Sequence, residues 1–130
     1  MTYELWVLAL NAVLLLVLYV IQGGYTTVTA PKWGVGARDA ARDPSVFAGR
    51  ADRTVRNQIE ALAVFAPLVL IAHVLGISND LTVWGAGLFL GARVAFVPLY
   101  FLGVAWLRTL VWFAGVAGTV MIAYVVLTAS

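Results

Sequence analysis

Residues 81–128 read LTVWGAGLFLGARVAFVPLYFLGVAWLRTLVWFAGVAGTVMIAYVVLT, and this stretch decides the fold of the chain. It contains two long apolar segments, 81–102 and 104–128, which meet at Gly103 and hold only two charged side chains, Arg93 and Arg108. A helix needs about 20 mostly apolar residues to cross a bilayer, so each segment is predicted to be a membrane-spanning helix. Because the connection at Gly103 is so short, we expect the two helices to be antiparallel neighbours.

Two further apolar segments precede this pair, at about 5–22 and 57–77. Hydrophobic residues make up 63% of the 130 residues and charged residues 11%, whereas a soluble domain carries about 25% charged residues. We therefore predict one all-α domain, 1–130, in which four transmembrane helices form a bundle in the lipid bilayer. Small residues in the patterns Gly87-x-x-x-Gly91 and Ala114-x-x-x-Gly118 are expected to let the helices pack closely.

The composition excludes several kinds of site. The chain has no cysteine, which excludes disulfides, thiolate metal sites and a cysteine nucleophile, and its single histidine predicts no metal centre. The net charge of +2 is too small to indicate a nucleic-acid partner. The first apolar segment could instead be a cleaved signal peptide, but such a peptide begins with positive residues, and the only charged side chain before this segment is that of Glu4.

The lysines and arginines outside the apolar segments lie on one side of the predicted bundle. The loop 23–56 contains six of them, and Arg108 lies beside the turn on the same side, whereas the opposite side has none. The positive-inside rule then predicts that this loop is cytoplasmic and that both termini lie outside. Tryptophans near both ends of the bundle fit the aromatic belts of a membrane protein: Trp6, Trp84, Trp33 and Trp106.

Polar residues at the start of the second helix form one stripe. They follow helical spacing, i, i+3, i+4 and i+7, and comprise Arg53, Arg56, Asn57 and Glu60. Arg93 lies well inside the third helix, where a charge costs at least about 2.5–3.5 kcal/mol and needs a partner. Glu60 is the only carboxylate within the predicted spans, so we predict a Glu60–Arg93 pair. Asn11 and His73 are likewise expected to form hydrogen bonds inside the bundle.

Further polar residues follow toward the same end of the bundle. Tyr100 lies seven residues after Arg93 on the same helix face, and Arg108 and Thr109 occupy the first turns of the fourth helix. Together with the stripe they predict a polar cleft at the cytoplasmic ends of helices two, three and four. Four arginines would face one carboxylate there, and this excess of positive charge favours an anion bearing carboxylates. A purely structural network of ion pairs is the alternative interpretation.

The same residues resemble the motifs of the MAPEG superfamily, the membrane-associated proteins in eicosanoid and glutathione metabolism. The family pattern has an arginine and Asn-x-x-Glu at the start of helix two, an arginine followed seven residues later by tyrosine in helix three, and an arginine at the start of helix four. This sequence matches the pattern with Arg53, Arg56, Asn57 and Glu60, then Arg93 and Tyr100, then Arg108. The run 49–60, GRADRTVRNQIE, is especially similar to bacterial members, and this likeness implies a location in a bacterial inner membrane.

The resemblance implies a homotrimer that binds glutathione between subunits at the cytoplasmic side. The residues it implies for binding are Arg53, Arg56, Asn57, Glu60, Arg93, Thr109 and Trp112. It implies that Arg108 stabilises the glutathione thiolate, and that Tyr100 donates to the sulfur or orients the tripeptide. The thiolate would attack a lipophilic electrophile or peroxide arriving from the bilayer, so the implied function is a glutathione-dependent transferase or peroxidase.

Two other functions compete with this interpretation. Small multidrug exporters are also short four-span chains, and they resemble one another in a membrane-embedded glutamate in helix one. Here helix one offers only Asn11, with Glu4 at its edge. The second alternative is a non-catalytic membrane subunit that keeps the family fold, which a test of glutathione binding would separate from an enzyme.

Overall fold

A computed structural model describes residues 1–29 and 46–129 as four α-helices. Their bounds are α1 Tyr3–Thr29, α2 Val46–Val74, α3 Asp80–Leu102 and α4 Ala105–Leu127. All four are long and apolar enough to cross a membrane, over Tyr3–Tyr25, Gly49–Val74, Asp80–Leu102 and Ala105–Leu127. The two described ranges contain no strand. The predicted all-α bundle of four candidate transmembrane helices is therefore confirmed.

The helices extend further than the apolar segments that predicted them. α2 already includes Val46 and α1 continues to Thr29, so the prediction of a loop over 23–56 is wrong at both of its ends. Hydropathy marks where a helix lies in lipid, whereas a helix can continue with its own backbone hydrogen bonds beyond the apolar layer. Arg50, Arg53 and Arg56 are thus helical residues. The remaining predicted loop residues lie outside the described ranges: Lys32, Trp33, Arg38 and Arg42.

Short connections join the last three helices, and α3 is capped at both of its ends. Before α3, the Asn79 side chain accepts a hydrogen bond from the Thr82 backbone amide at 3.1 Å, and Thr82 Oγ1 accepts one from the Asn79 amide at 2.9 Å. After α3, Gly103 adopts φ 74°, a left-handed conformation that favours glycine. Its amide donates to the Tyr100 carbonyl at 3.1 Å. This tight turn brings the end of α3 next to the start of α4.

α3 and α4 approach each other most closely at two glycines. A Cβ added to Gly85 would lie 2.7 Å from the backbone oxygen of Gly118, and both glycines are buried. The predicted packing role of Gly118 is therefore confirmed. The role predicted for Gly91 is wrong within this subunit, because a Cβ added there meets nothing within 4 Å. On α3, Gly85 rather than Gly91 is turned toward α4.

All four helices contribute to one apolar core. Its buried members include Val7 of α1, Phe65 of α2, Phe89 of α3 and Ile122 of α4. The rings of Phe65 and Phe89 stack with their centroids 3.9 Å apart. Because this core lies on the side of Arg93 away from Gly103, it holds the helices together at that end and leaves the other end to polar residues.

The outer surface of the subunit is largely apolar. Exposed aromatic and aliphatic side chains include those of Trp6, Trp84 and Trp106 at the helix ends and Leu16 between them, as contact with lipid requires. The prediction for Asn11 is confirmed, since it is buried and its amide donates to the Val7 carbonyl at 2.9 Å. The prediction for His73 is wrong: it is exposed in the last turn of α2, where a polar side chain can leave the apolar layer.

Candidate functional site

Two arginines from different helices converge on Tyr100, near the end of α3. Nε of Arg53 in α2 donates a hydrogen bond of 2.9 Å to the Tyr100 hydroxyl oxygen. The guanidinium carbon of Arg108 in α4 lies 4.6 Å from the centroid of the Tyr100 ring, which is a cation–π contact. The phenol oxygen accepts from Arg53, so the hydroxyl hydrogen remains available to donate to a ligand. The structure thus brings three predicted site residues together.

Two cavities lie beside this cluster and share Asn57 and Trp112. The first, of about 290 Å³, lies between α2, α3 and α4, and its polar lining residues include Asn57, Glu60 and Arg93. The second has a volume of about 340 Å³. Its lining includes Asn57, Phe96, Tyr100, Arg108, Thr109, Trp112 and Phe113. The shared residues connect the cluster around Tyr100 with the first cavity, whose other walls are mostly apolar.

The predicted Glu60–Arg93 pair is wrong. Arg93 is 2% exposed, and its Nε donates a hydrogen bond of 2.7 Å to Oε1 of Gln58. Glu60 lies on the exposed side of α2 and forms no ion pair with Arg93. Residues two positions apart point about 200° apart around a helix, so α2 turns either Gln58 or Glu60 toward the buried face of α3. The structure places Gln58 there.

Two buried polar atoms of this region have no hydrogen-bond partner among the described residues. They are Oδ1 of Asn57 and Nη2 of Arg93, and both residues line the first cavity. A buried polar atom without a partner costs about 1–3 kcal/mol, and such atoms are uncommon in native structures. One is an acceptor and the other a donor. The first cavity therefore offers unused hydrogen-bonding capacity of both kinds.

The remaining predicted site residues differ in whether they line the two cavities. Arg56 is exposed and lines neither of the two cavities, so the structure does not bring it to the site. Thr109 lines the second cavity, but its hydroxyl donates to the Ala105 carbonyl of its own helix at 3.0 Å. Trp112 is 40% exposed and lines both cavities.

Arg50 is a polar residue whose contact the sequence did not indicate. Its Nη1 donates a hydrogen bond of 2.8 Å to the Phe101 carbonyl. A Cβ added at Gly103 would lie 2.8 Å from Nη2 of the same guanidinium. Arg50 therefore caps the end of α3 and occupies the space that the glycine leaves open. The only signal in the sequence was its position one helical turn before Arg53.

Glu4 forms a second unexpected cluster, at the opposite end of the bundle. The residue is 3% exposed, and its carboxylate accepts hydrogen bonds from Thr82 Oγ1 at 2.5 Å and from Ser78 Oγ at 3.0 Å. This contact ties the start of α1 to the connection before α3. A single charged residue at a helix edge gave no signal that it would be buried.

A bundle of four membrane-spanning helices with an arginine-containing polar cleft at one end defines an integral membrane protein whose polar site adjoins the bilayer. The chain belongs to the MAPEG family, whose family model matches residues 4–128. Comparison with curated proteins and with solved structures gives no match. Membership over nearly the whole chain fits a membrane protein of glutathione or eicosanoid metabolism, and it confirms the resemblance inferred from the motifs.

Proposed function

We propose that this protein binds glutathione in the polar cleft and uses it, as a glutathione-dependent transferase or peroxidase, on a lipophilic electrophile. The observation that carries the proposal is the convergence of Arg53 and Arg108 on Tyr100 beside the two cavities. Among the described residues, Arg93 is a third cation that borders this region, and Glu60 is the carboxylate that lines the first cavity. Glutathione carries two carboxylates and one amine, so its charges complement this set.

The residues around the first cavity can hold the tripeptide. Nη2 of Arg93 is an unused donor for a carboxylate, and Oδ1 of Asn57 is an unused acceptor for an amide or amine hydrogen. Glu60 lines the same cavity and suits an amine. Arg53 is exposed and can bind a second carboxylate while it remains bonded to Tyr100. This fit supports glutathione over a ligand without charge.

Arg108 and Tyr100 are positioned to act on the sulfur. When bound, glutathione supplies a thiol whose thiolate form is the nucleophile. Arg108 lies in the first turn of α4, where the helix dipole adds partial positive charge, so it can stabilise a negative sulfur. A guanidinium cannot accept the thiol proton, which must pass to solvent. The free hydroxyl hydrogen of Tyr100 can donate a further hydrogen bond to the sulfur.

The walls of the first cavity suit a lipophilic second substrate. Beyond its polar wall it is lined by aliphatic side chains such as Val64, Val116 and Val120. All three are exposed on the surface of the subunit, where lipid or a neighbouring subunit lies. A molecule dissolved in the bilayer can therefore reach the site without crossing a polar layer.

The assembly and orientation belong to the same proposal. We expect a homotrimer in which a neighbouring subunit completes the cleft, since Arg53 and Glu60 lie on the exposed side of α2. We also expect the end that carries Arg50, Arg53 and Arg108 to face the cytoplasm of a bacterial inner membrane. In the described ranges the opposite end has no lysine or arginine, which fits the positive-inside rule.

Calorimetric titration of the detergent-solubilised protein with glutathione tests the binding step. A coupled assay with a chlorodinitrobenzene and with a lipid hydroperoxide, each with and without the protein, tests catalysis. We expect saturable binding and turnover of at least one of the two electrophiles. Binding without turnover of either would favour the non-catalytic membrane subunit. Absence of binding would refute the proposed function.

A further inference from the structure

Gln58 is the only described protein side chain that hydrogen-bonds the Arg93 guanidinium. It is fully buried, and its Oε1 accepts from Arg93 Nε at 2.7 Å. On the other side, its Nε2 donates to the backbone oxygen and to Oδ1 of Asn11, both at 3.3 Å. A chain of hydrogen bonds thus runs from α1 through α2 to α3, and Gln58 is its middle member.

The direction of this chain is set from α1. Asn11 Nδ2 donates to the Val7 carbonyl at 2.9 Å, which turns Asn11 Oδ1 toward Gln58. Gln58 must then present its amide N–H groups to Asn11 and its amide oxygen to Arg93. An amide can donate on one side and accept on the other, whereas an ionised carboxylate can only accept. The position therefore calls for a neutral amide if both bonds are kept.

The consequence is a buried cation that forms no ion pair with any of the described residues. The Arg93 guanidinium carbon lies 4.5 Å from the centroid of the Phe96 ring, and its Nη2 has no partner among the described residues. The amide of Gln58 fixes the guanidinium but carries no charge, and Glu60 is not paired with it. A buried charge is costly unless it is paired, so an anionic group in the first cavity is stabilised there.

We propose that Gln58 is a positioning residue that sets specificity: it holds Arg93 in place through a hydrogen bond and leaves its positive charge for an anionic group of the ligand. The inference rests on the proposed function to the extent that this ligand is glutathione. Beyond that function, the preference of the site for an anion depends on the neutral side chain of Gln58, which does not line the cavity.

The variant Gln58→Glu tests this inference, because it keeps the side-chain size and the acceptor for Arg93 but adds the missing counter-charge. Calorimetry in detergent compares glutathione with its diester, in which both carboxylates are neutralised. We expect the Kd for glutathione to rise about tenfold or more, as for the loss of a hydrogen bond to a charged group. The Kd for the diester should change by less than about threefold. Structural damage to the site would weaken both ligands alike.

An unchanged preference for glutathione over the diester in Gln58→Glu would overturn the inference, since the counter-charge would then come from Glu60 or from a neighbouring subunit. If this variant does not fold, Arg93→Met replaces it, and equal losses for the two ligands would overturn the inference. If the wild type does not bind glutathione, the proposed function fails, and inorganic sulfate becomes the probe. Sulfate must then raise the unfolding temperature of the wild type more than that of Gln58→Glu, and an equal rise would overturn the inference.

Discussion

Gly85 and Gly91 lie six residues apart on α3, and we expect their alanine variants to behave very differently. A Cβ at Gly85 would lie 2.7 Å from the backbone oxygen of Gly118 and 3.1 Å from Cγ1 of Ile122, whereas a Cβ at Gly91 meets nothing within 4 Å. Backbone cannot move aside as a side-chain tip can, so Gly85→Ala must push α3 and α4 apart. Overpacking of this kind costs about 1–3 kcal/mol.

The matched variant Gly91→Ala separates this cost from helix propensity. Replacing glycine by alanine inside a helix contributes up to about 1 kcal/mol at either position, so the difference between the two variants is the packing cost alone. We expect the free energy of unfolding of Gly85→Ala to be lower than that of Gly91→Ala by about 1–3 kcal/mol. The free energy of unfolding of Gly91→Ala should equal or exceed that of the wild type.

Unfolding in mixed micelles of mild detergent and dodecyl sulfate, followed by tryptophan fluorescence, measures this difference. All three proteins are compared at the same concentration, and their oligomeric state is recorded by native mass spectrometry. The reasoning is refuted if Gly91→Ala is as destabilising as Gly85→Ala while the oligomeric state stays the same. The contact surface of α3 within the subunit would then include Gly91.

Three further predictions concern the site and the topology. Arg108→Leu should raise the pKa of the bound glutathione thiol by about 1–2 units, each unit being about 1.4 kcal/mol of lost preference for the thiolate. Ultraviolet titration of the thiolate measures this shift, and an unchanged pKa would remove Arg108 from catalysis. Arg50→Met should lower the free energy of unfolding by roughly 1.5–3 kcal/mol, because the charge-assisted hydrogen bond to the Phe101 carbonyl is lost. Arg56→Met is its control and should stay within about 0.5 kcal/mol of the wild type. In intact cells an impermeant thiol reagent should label a cysteine placed at Asn79 but not one at Ala37, and the reverse pattern would invert the proposed orientation.

Much of the site could be predicted because its residues repeat at helical spacing. Arg53 and Asn57 lie one turn apart on α2, and Tyr100 follows Arg93 at two turns on α3. Adjacent helices joined by short turns bring such stripes to the same end of the bundle. The sequence could therefore predict that Arg53, Arg108 and Tyr100 lie close together, although it could not predict the two contacts between them.

Contacts between helices were predicted less well. Opposite charges attract, so the sequence predicts Glu60 as the partner of Arg93, but the partner is the neutral Gln58. Glycines four residues apart often mark a helix interface, so the sequence predicts packing at Gly91, but the close contact lies at Gly85. In both cases the predicted residue is of a type that can make the contact. The rotation of the helix about its axis places a different residue there.

The sequence by itself determined that four helices cross the membrane, that polar residues gather at one end, and that the chain resembles the MAPEG family. Hydropathy and helical spacing are properties of one segment at a time, so they can be read without knowing any neighbour. Only the tertiary structure decided that Gln58 holds Arg93, that Arg50 caps α3 and that Glu4 is buried. These contacts depend on how each helix is rotated and shifted against the next. One residue of offset turns a side chain by about 100°, which is enough to exchange a partner in the core for a place in the lipid.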